Sequence, residues 1–118
     1  MTALKIKRGT ICLVNLDPTI GSEIAKKRPA IVISNDTNNE VASTVTVIPL
    51  TSQKREKIYP FEVLIPKGVG NIERNSIAKA NQIRTIDKRR VIKVIGVLPE
   101  KYIKLLEKAI LIHLGLDC

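Results

Sequence analysis

The apolar residues of this chain come in short runs rich in Ile and Val, each stopped by Pro, Gly or an Asn–Asp cluster, until one longer helical pattern closes the sequence. Branched side chains of this kind fit a pleated, partly buried surface, so the runs read as strands. They cover Thr10 to Leu16, Ala30 to Ser34, Thr44 to Leu50, Phe61 to Ile65 and Val91 to Leu98, the last interrupted by Gly96. Ser76 to Ile86 holds one or two more. Asp17-Pro18 ends the first run. Pro29 has no N–H to give a sheet ladder and is expected to open the second. Asn35 to Asn39 is turn chemistry leading into a short helical turn that ends near Ala42. Pro66 to Asn71 is a turn-rich connection, and Asp87 to Arg90 suits a helical turn with Asp87 as its cap. Pro99 to Leu114 is the clear helix, with Pro99 and Glu100 suited to its start and Gly115 to its end. Tyr102, Leu105, Leu106, Ala109, Ile110 and His113 are expected to form its inner face. Many short strands followed by one helix predict a small twisted barrel or curled sheet with the helix packed on it, and 118 residues suit a single domain.

Charge narrows the partners. Twenty Lys and Arg against eleven Asp and Glu leave a net charge of +9, which suits a polyanion such as nucleic acid or an acidic protein segment. Cys12 and Cys118 form no Cys-x-x-Cys pair, which points to a reducing compartment. The first residues carry no apolar signal core, and no run approaches the length of a membrane span. A soluble cytoplasmic protein with no membrane association is expected.

Histidine is the scarcest catalytic type, with His113 alone in the chain. No Cys, Asp or Glu accompanies it at helical ligand spacing, so a structural role is expected and neither a metal nor another cofactor is implied. Gly68-Val69-Gly70 lacks the spacing and context of a phosphate loop. Guanidiniums and hydroxyls remain. Arg28 closes a polar loop before Pro29, and Thr51 with Ser52 follows Pro49-Leu50 at a strand end. An arginine holds two phosphate oxygens at once, and a threonine hydroxyl can add a third contact. On spacing alone both are also ordinary loop and strand-end residues. Lys54, Arg55 and Lys57 are either a solvated surface or a cluster that steers a phosphate backbone. Lys101, Lys104 and Lys108 read as the polar face of the helix.

Several ordered blocks go further. Arg8-Gly9 opens the first strand. Leu16-Asp17-Pro18, Gly21-Ser22-Glu23 and Arg28-Pro29 follow, then Asn35-Asp36 and Pro49-Leu50-Thr51-Ser52. The longest is Gln82-Ile83-Arg84-Thr85-Ile86-Asp87-Lys88 with Arg90. In this order they resemble the MazF/PemK-type toxins, ribosome-independent endoribonucleases of bacterial toxin–antitoxin pairs, from Arg8 to about Leu114. The resemblance implies an SH3-like β-barrel with a C-terminal helix, a homodimer, and metal-independent cleavage of single-stranded RNA at short sequences. It implies Arg28 and Thr51 as the catalytic pair. The 2′-OH would attack its own 3′ phosphate, giving 2′,3′-cyclic phosphate and 5′-OH ends. It places Gly21, Ser22, Glu23, Ser52, Asn81, Gln82 and Arg84 around the RNA, and an acidic antitoxin as a second partner.

This chain departs from the pattern at Asn81, where many relatives carry an acid, at Thr10, and in Ile24-Ala25-Lys26-Lys27. Those differences bear on which RNA sequence is recognised. Two other readings stand beside the nuclease. A non-catalytic toxin on the same fold, of the gyrase-inhibiting kind, would not need Arg28 and Thr51. A passive RNA-binding barrel needs aromatic platforms, and Tyr59, Phe61 and Tyr102 are the only aromatics.

Overall fold

The computed structural model describes residues 5–52 and 57–116. The basic residues Lys54 and Arg55, and Cys118, lie outside them. Seven strands form: β1 (Thr10–Asn15), β2 (Lys27–Val32), β3 (Thr44–Thr51), β4 (Glu62–Ile65), β5 (Ser76–Lys79), β6 (Arg84–Asp87) and β7 (Val91–Val97). Helix α1 (Asp36–Val41) follows β2, and helix α2 (Glu100–Leu114) follows β7. All pairings are antiparallel, in the order β4-β5-β3-β2-β1-β7. β3 is the hinge of the sheet. Its first half pairs with β6 from Thr44 to Val47, and its end, Leu50 and Thr51, pairs with β5. One strand shared in this way curls the sheet, as the SH3-like barrel with a C-terminal helix requires.

Both faces of the central strands are buried. Ile11, Ile31, Ile48 and Leu50 join one cluster with Ile65, Leu98, Ile103 and Leu106. Cys12, Val14, Ala30, Val32, Val45 and Val47 join a second with Leu16 and Ile86. Successive residues alternate between the two because side chains alternate across a strand. A strand buried on both sides reads as continuous apolar sequence, which explains the imperfect alternation of β1. Each fully buried Leu or Ile contributes roughly 1.5–3 kcal/mol relative to exposure.

Three expectations change in detail. Pro29 does not open β2. It lies inside the strand opposite Leu13, one residue beyond the last β2–β3 pair, Ala30↔Pro49. A residue without an N–H is tolerated where the ladder on that side has ended. On α2 the inner face is Ile103, Leu106 and Ala109, with Tyr102 and Ile110 partly buried. Leu105 and His113 point outward, because the helix turns its face toward β4 and the 3-10 turn at Ala80–Gln82. β7 runs through Gly96, which pairs with Ile11 just before a register shift. A Cβ at Gly96 would overlap the carbonyl of Gly70, so glycine lets the 3-10 turn Val69–Asn71 lie directly on β7.

Candidate active site

The β2–β3 register leaves the two expected catalytic residues on neighbouring strands, each two positions beyond its last pair. Ala30↔Pro49, Ile31↔Ile48 and Val32↔Val47 are paired. Continued two positions outward, the same register sets Arg28 opposite Thr51. The ladder does not continue there, since Pro29 lacks a donor and Thr51 pairs instead with Ile77 on β5. Directly opposite residues share a sheet face, so Arg28 and Thr51 project to the side occupied by Val14, Ala30 and Pro49.

Their side chains are held but uncommitted. Arg28 is half-buried, and its Nε donates to the Ala25 carbonyl at 2.8 Å. That bond orients the guanidinium and leaves its terminal nitrogens without a partner among the described residues. Thr51 is 6% exposed, and its hydroxyl makes no hydrogen bond to the described residues. A planar donor fork beside a hydroxyl is suited to an anionic tetrahedral or pentacoordinate group.

Two clefts flank this pair. The first, about 640 Å³, is the mouth of the barrel, lined by Arg28 and Ser52 together with Lys27, Arg74 and Lys93. The second, about 370 Å³, is lined by Ser22, Glu23, Pro49, Asn81, Gln82 and Arg84. The expected RNA-contacting residues therefore gather in one place, except that Ser52 faces the first cleft and Gly21 stands in the adjoining loop at φ 57°.

The Gln82 block also has a second task. Gln82 Oε1 accepts from Ile24 N at 3.2 Å, and its Nε2 donates to Ser22 O at 3.3 Å. Arg84 donates to Leu16 O at 2.8 Å. Arg90 donates to Asn15 O at 3.1 Å and also to the Asp17 carbonyl. The loop between β1 and β2 completes the lattice from within: Glu23 Oε1 accepts from Ile20 N at 2.6 Å, and Asp17 Oδ1 from Lys26 N at 3.1 Å. The loop that carries Ser22 and Glu23 is thus fastened to the block by side chain to backbone bonds. Asn81 is the exception: its Oδ1 is buried with no hydrogen-bond partner. An unpaired buried acceptor costs about 1–3 kcal/mol and is worth retaining where a ligand supplies the donor.

Charge around the site follows local bonding. Asp87 caps the turn Lys88–Arg90 by accepting from Arg89 N at 2.8 Å, and its carboxylate also meets the Arg89 guanidinium. The Arg89 side chain, then its backbone N–H, hold Asp87 below the usual carboxylate range. Asp36 is lowered first by the backbone N–H of Arg8. Burial pushes the Cys12 thiol up to about 11, so it is inert at neutral pH. Among the described residues no three His, Cys, Asp or Glu side chains gather to hold a metal ion. His113 lies tilted against Phe61, with ring centroids 6.4 Å apart, far from chemistry. No helix among the described residues is long and apolar enough to cross a membrane.

Sequence reasoning missed Arg74 and Lys93 as neighbours of Arg28 and Lys27. They come from two separate segments, and neither carries an adjacent signal.

The comparisons agree with this geometry. Residues 7–114 match the family model described as PemK-like, MazF-like toxin of type II toxin–antitoxin system. The chain is 38% identical over 116 residues to endoribonuclease MazF9 of Mycobacterium tuberculosis, covering 94% of this chain and 98% of the relative. It is 36% identical over 111 residues to endoribonuclease MazF of Staphylococcus saprophyticus, covering 94% and 92%. Among solved structures, MazF (Form-I) from Deinococcus radiodurans superposes with a TM-score of 0.83 at 28% identity, covering 97% of this chain and all of that one. A MazE-MazF crystal structure from the same organism gives 0.75 at 26% identity, covering 95% and 97%. A barrel with this topology, relatives more than a third identical, and a family match across most of its length make this chain a member of the PemK-like, MazF-like toxins of type II toxin–antitoxin systems.

Proposed function

We propose that this toxin-family endoribonuclease cleaves single-stranded RNA without a metal, at the Arg28–Thr51 pair. The ribose 2′-oxygen attacks the adjacent phosphorus. The 2′-O–P bond forms, the P–O5′ bond breaks, the 2′-OH loses its proton, and the leaving 5′-oxygen gains one. The products carry a 2′,3′-cyclic phosphate and a 5′-OH. The observation that supports this reading is a half-buried guanidinium oriented by the Ala25 carbonyl, two residues beyond the last β2–β3 pair, on the strand beside the one that ends in Thr51. The terminal nitrogens of Arg28 hold the non-bridging oxygens as charge grows on them, and Thr51 orients the phosphate. A guanidinium stays protonated at neutral pH, so Arg28 acts through charge rather than as the base. The substrate supplies its own nucleophile, so positioning carries much of the rate, and DNA, lacking the 2′-OH, resists.

The second cleft reads the sequence. Gln82 and Asn81 offer amide groups to base edges, with Ser22, Glu23 and Arg84 beside them. The net charge of +9 suits both RNA and an acidic antitoxin segment that folds across the groove, and a relative of this fold has been crystallised with MazE. Exposed Ile92 and Val97 on β7, with Leu105 and Ile112 on α2, support a homodimer.

The test is incubation of the purified protein with a long RNA in chelator, followed by end analysis. Discrete fragments with 5′-OH ends are expected, and Arg28→Ala should lower kcat by about 10²–10³ while the protein stays folded. Full activity in folded Arg28→Ala would sink the assignment. Intact RNA from the wild-type protein, with an inhibited topoisomerase, would favour the gyrase-inhibiting alternative.

A further inference from the structure

The barrel mouth holds a charge arrangement that the cleavage step does not use. Its floor is apolar, made by Leu13, Pro29, Leu50, Ile72 and Ile95. Its rim carries Lys27, Arg74 and Lys93 beyond Arg28, against the single carboxylate of Glu73. These cations come from three places in the chain. Lys27 begins β2, Arg74 lies between the Val69–Asn71 turn and β5, and Lys93 stands opposite Leu13 on β7. All three are exposed, and none makes an ion pair or side-chain hydrogen bond to the described residues. Elsewhere the chain does pair its arginines, as with Arg8–Glu107 at 2.8 Å and Arg89–Asp87 at 3.1 Å. Unpaired like charges around one concavity repel each other, and an anion relieves that repulsion.

We infer that the barrel mouth is a backbone subsite: it holds a phosphate of the RNA strand next to the scissile one, using Arg74 and Lys93, with the flanking nucleotide against the apolar floor. The inference rests on the nuclease reading above. Arg28 supplies the continuity, because it lines the mouth while sharing a sheet face with Pro49, which lines the second cleft. A strand whose scissile phosphate sits on Arg28 thus enters by one cleft and leaves by the other. The two differ in what they offer a base. The second cleft has amides, one with a buried unpaired oxygen. In the mouth the Asn71 amide donates to Ile95 O at 3.2 Å, and apart from Ser52, Ser76 and the Glu73 carboxylate the polar lining is cationic. Charge without directed amides binds phosphate and is indifferent to sequence.

The test uses the full-length protein with two RNA substrates that share the cleaved sequence, one ending at the cut nucleotide pair and one extended on both sides. The double variant Arg74→Ala, Lys93→Ala should raise KM for the extended RNA about tenfold and leave kcat unchanged. It should also make the salt dependence of kcat/KM shallower by about 0.7 for each phosphate that it no longer neutralises. The short RNA should be cleaved equally by both proteins. Lys104→Ala with Lys108→Ala, on the polar face of α2, should leave the salt slope intact. An unchanged salt slope in the Arg74/Lys93 variant would overturn the subsite. So would unchanged RNA kinetics with weaker inhibition by an acidic antitoxin peptide, or a changed oligomeric state by light scattering, since either assigns the mouth to protein contacts. If the wild-type protein cleaves neither RNA, the nuclease reading itself has failed, which is a different outcome.

Discussion

The two clefts beside Arg28 are built on opposite plans. In the barrel mouth the cations are uncommitted and stand on separate segments of the chain. In the second cleft the polar side chains are already at work, with Gln82 and Arg84 fastened to the backbone of the β1–β2 loop. The mouth offers a strand cations above an apolar floor. The second cleft holds Gln82 and Arg84 in place, and the Asn81 Oδ1 is buried there without a partner among the described residues. A long signature block can therefore be part scaffold and part reader, and the chemistry can sit on its neighbours.

The largest expected effect separates the catalytic pair from both clefts. Arg28→Lys keeps the charge but loses the planar fork and the Nε bond to Ala25, so kcat should fall by roughly 10²-fold with little change in KM. Single-turnover cleavage of a defined RNA measures it, and near-normal kcat would show that point charge suffices. Next comes the scaffold. Gln82→Ala removes both loop bonds, each worth about 1 kcal/mol net, so the unfolding midpoint should drop by roughly 5–10 °C. Amide exchange at Ile24 should quicken, and activity should fall about tenfold through a misplaced loop. Unaltered exchange at Ile24 would mean that the loop is held from elsewhere.

A smaller effect tests the reader. Asn81→Asp keeps an acceptor and removes the amide donor, so discrimination between bases that offer an amino group and those that do not should shift by about 1–3 kcal/mol in that comparison, with the cleavage rate on the best site little affected. Sequencing the RNA ends of both proteins decides it, and identical cleavage sites would exclude Asn81 as a reader. The smallest concerns pH. Asp87 titrates lower in the folded chain than its ordinary value of 3.8 because Arg89 donates to it. Its contribution is therefore present above the unfolded value and fades as pH falls through the lowered one. The unfolding midpoint of Asp87→Asn should run closer to that of the wild-type protein as pH drops from about 5 to about 2. A constant gap across that range would show that the cap does not depend on the charge.

Much of the fold was legible along the chain. β1 and β3 began where Ile, Val and Thr clustered, Asp87 capped its turn, and α2 stood out by its period. The helix face was less so: the pattern put Leu105 and His113 inside and left out Ile103, which packing against Gly9 buries. Pro29 misled because its tolerance depends on how far β3 extends, which is not written near residue 29. The candidate site divided in the same way. Arg28 and Thr51 were named from blocks, yet nothing local places residues 23 positions apart across from each other. Arg74 and Lys93 carried no local mark at all.

What the sequence alone determined is short-range: which segments are strands, where turns cap, that one helix closes the chain, and that the surface is strongly basic. Those follow from side-chain period, proline and glycine geometry, and net charge, which act over a few residues or over the whole composition. Tertiary structure decided the rest. The register of β2 on β3 put Arg28 and Thr51 on neighbouring strands, and the folding of the sheet drew Lys27, Arg74 and Lys93 around one mouth. Bonds to Leu16, Ser22 and Ile24 made Gln82 and Arg84 anchors as well as walls. Register, curl and long-range bonds depend on the packing of both faces at once, and no local stretch of sequence encodes that.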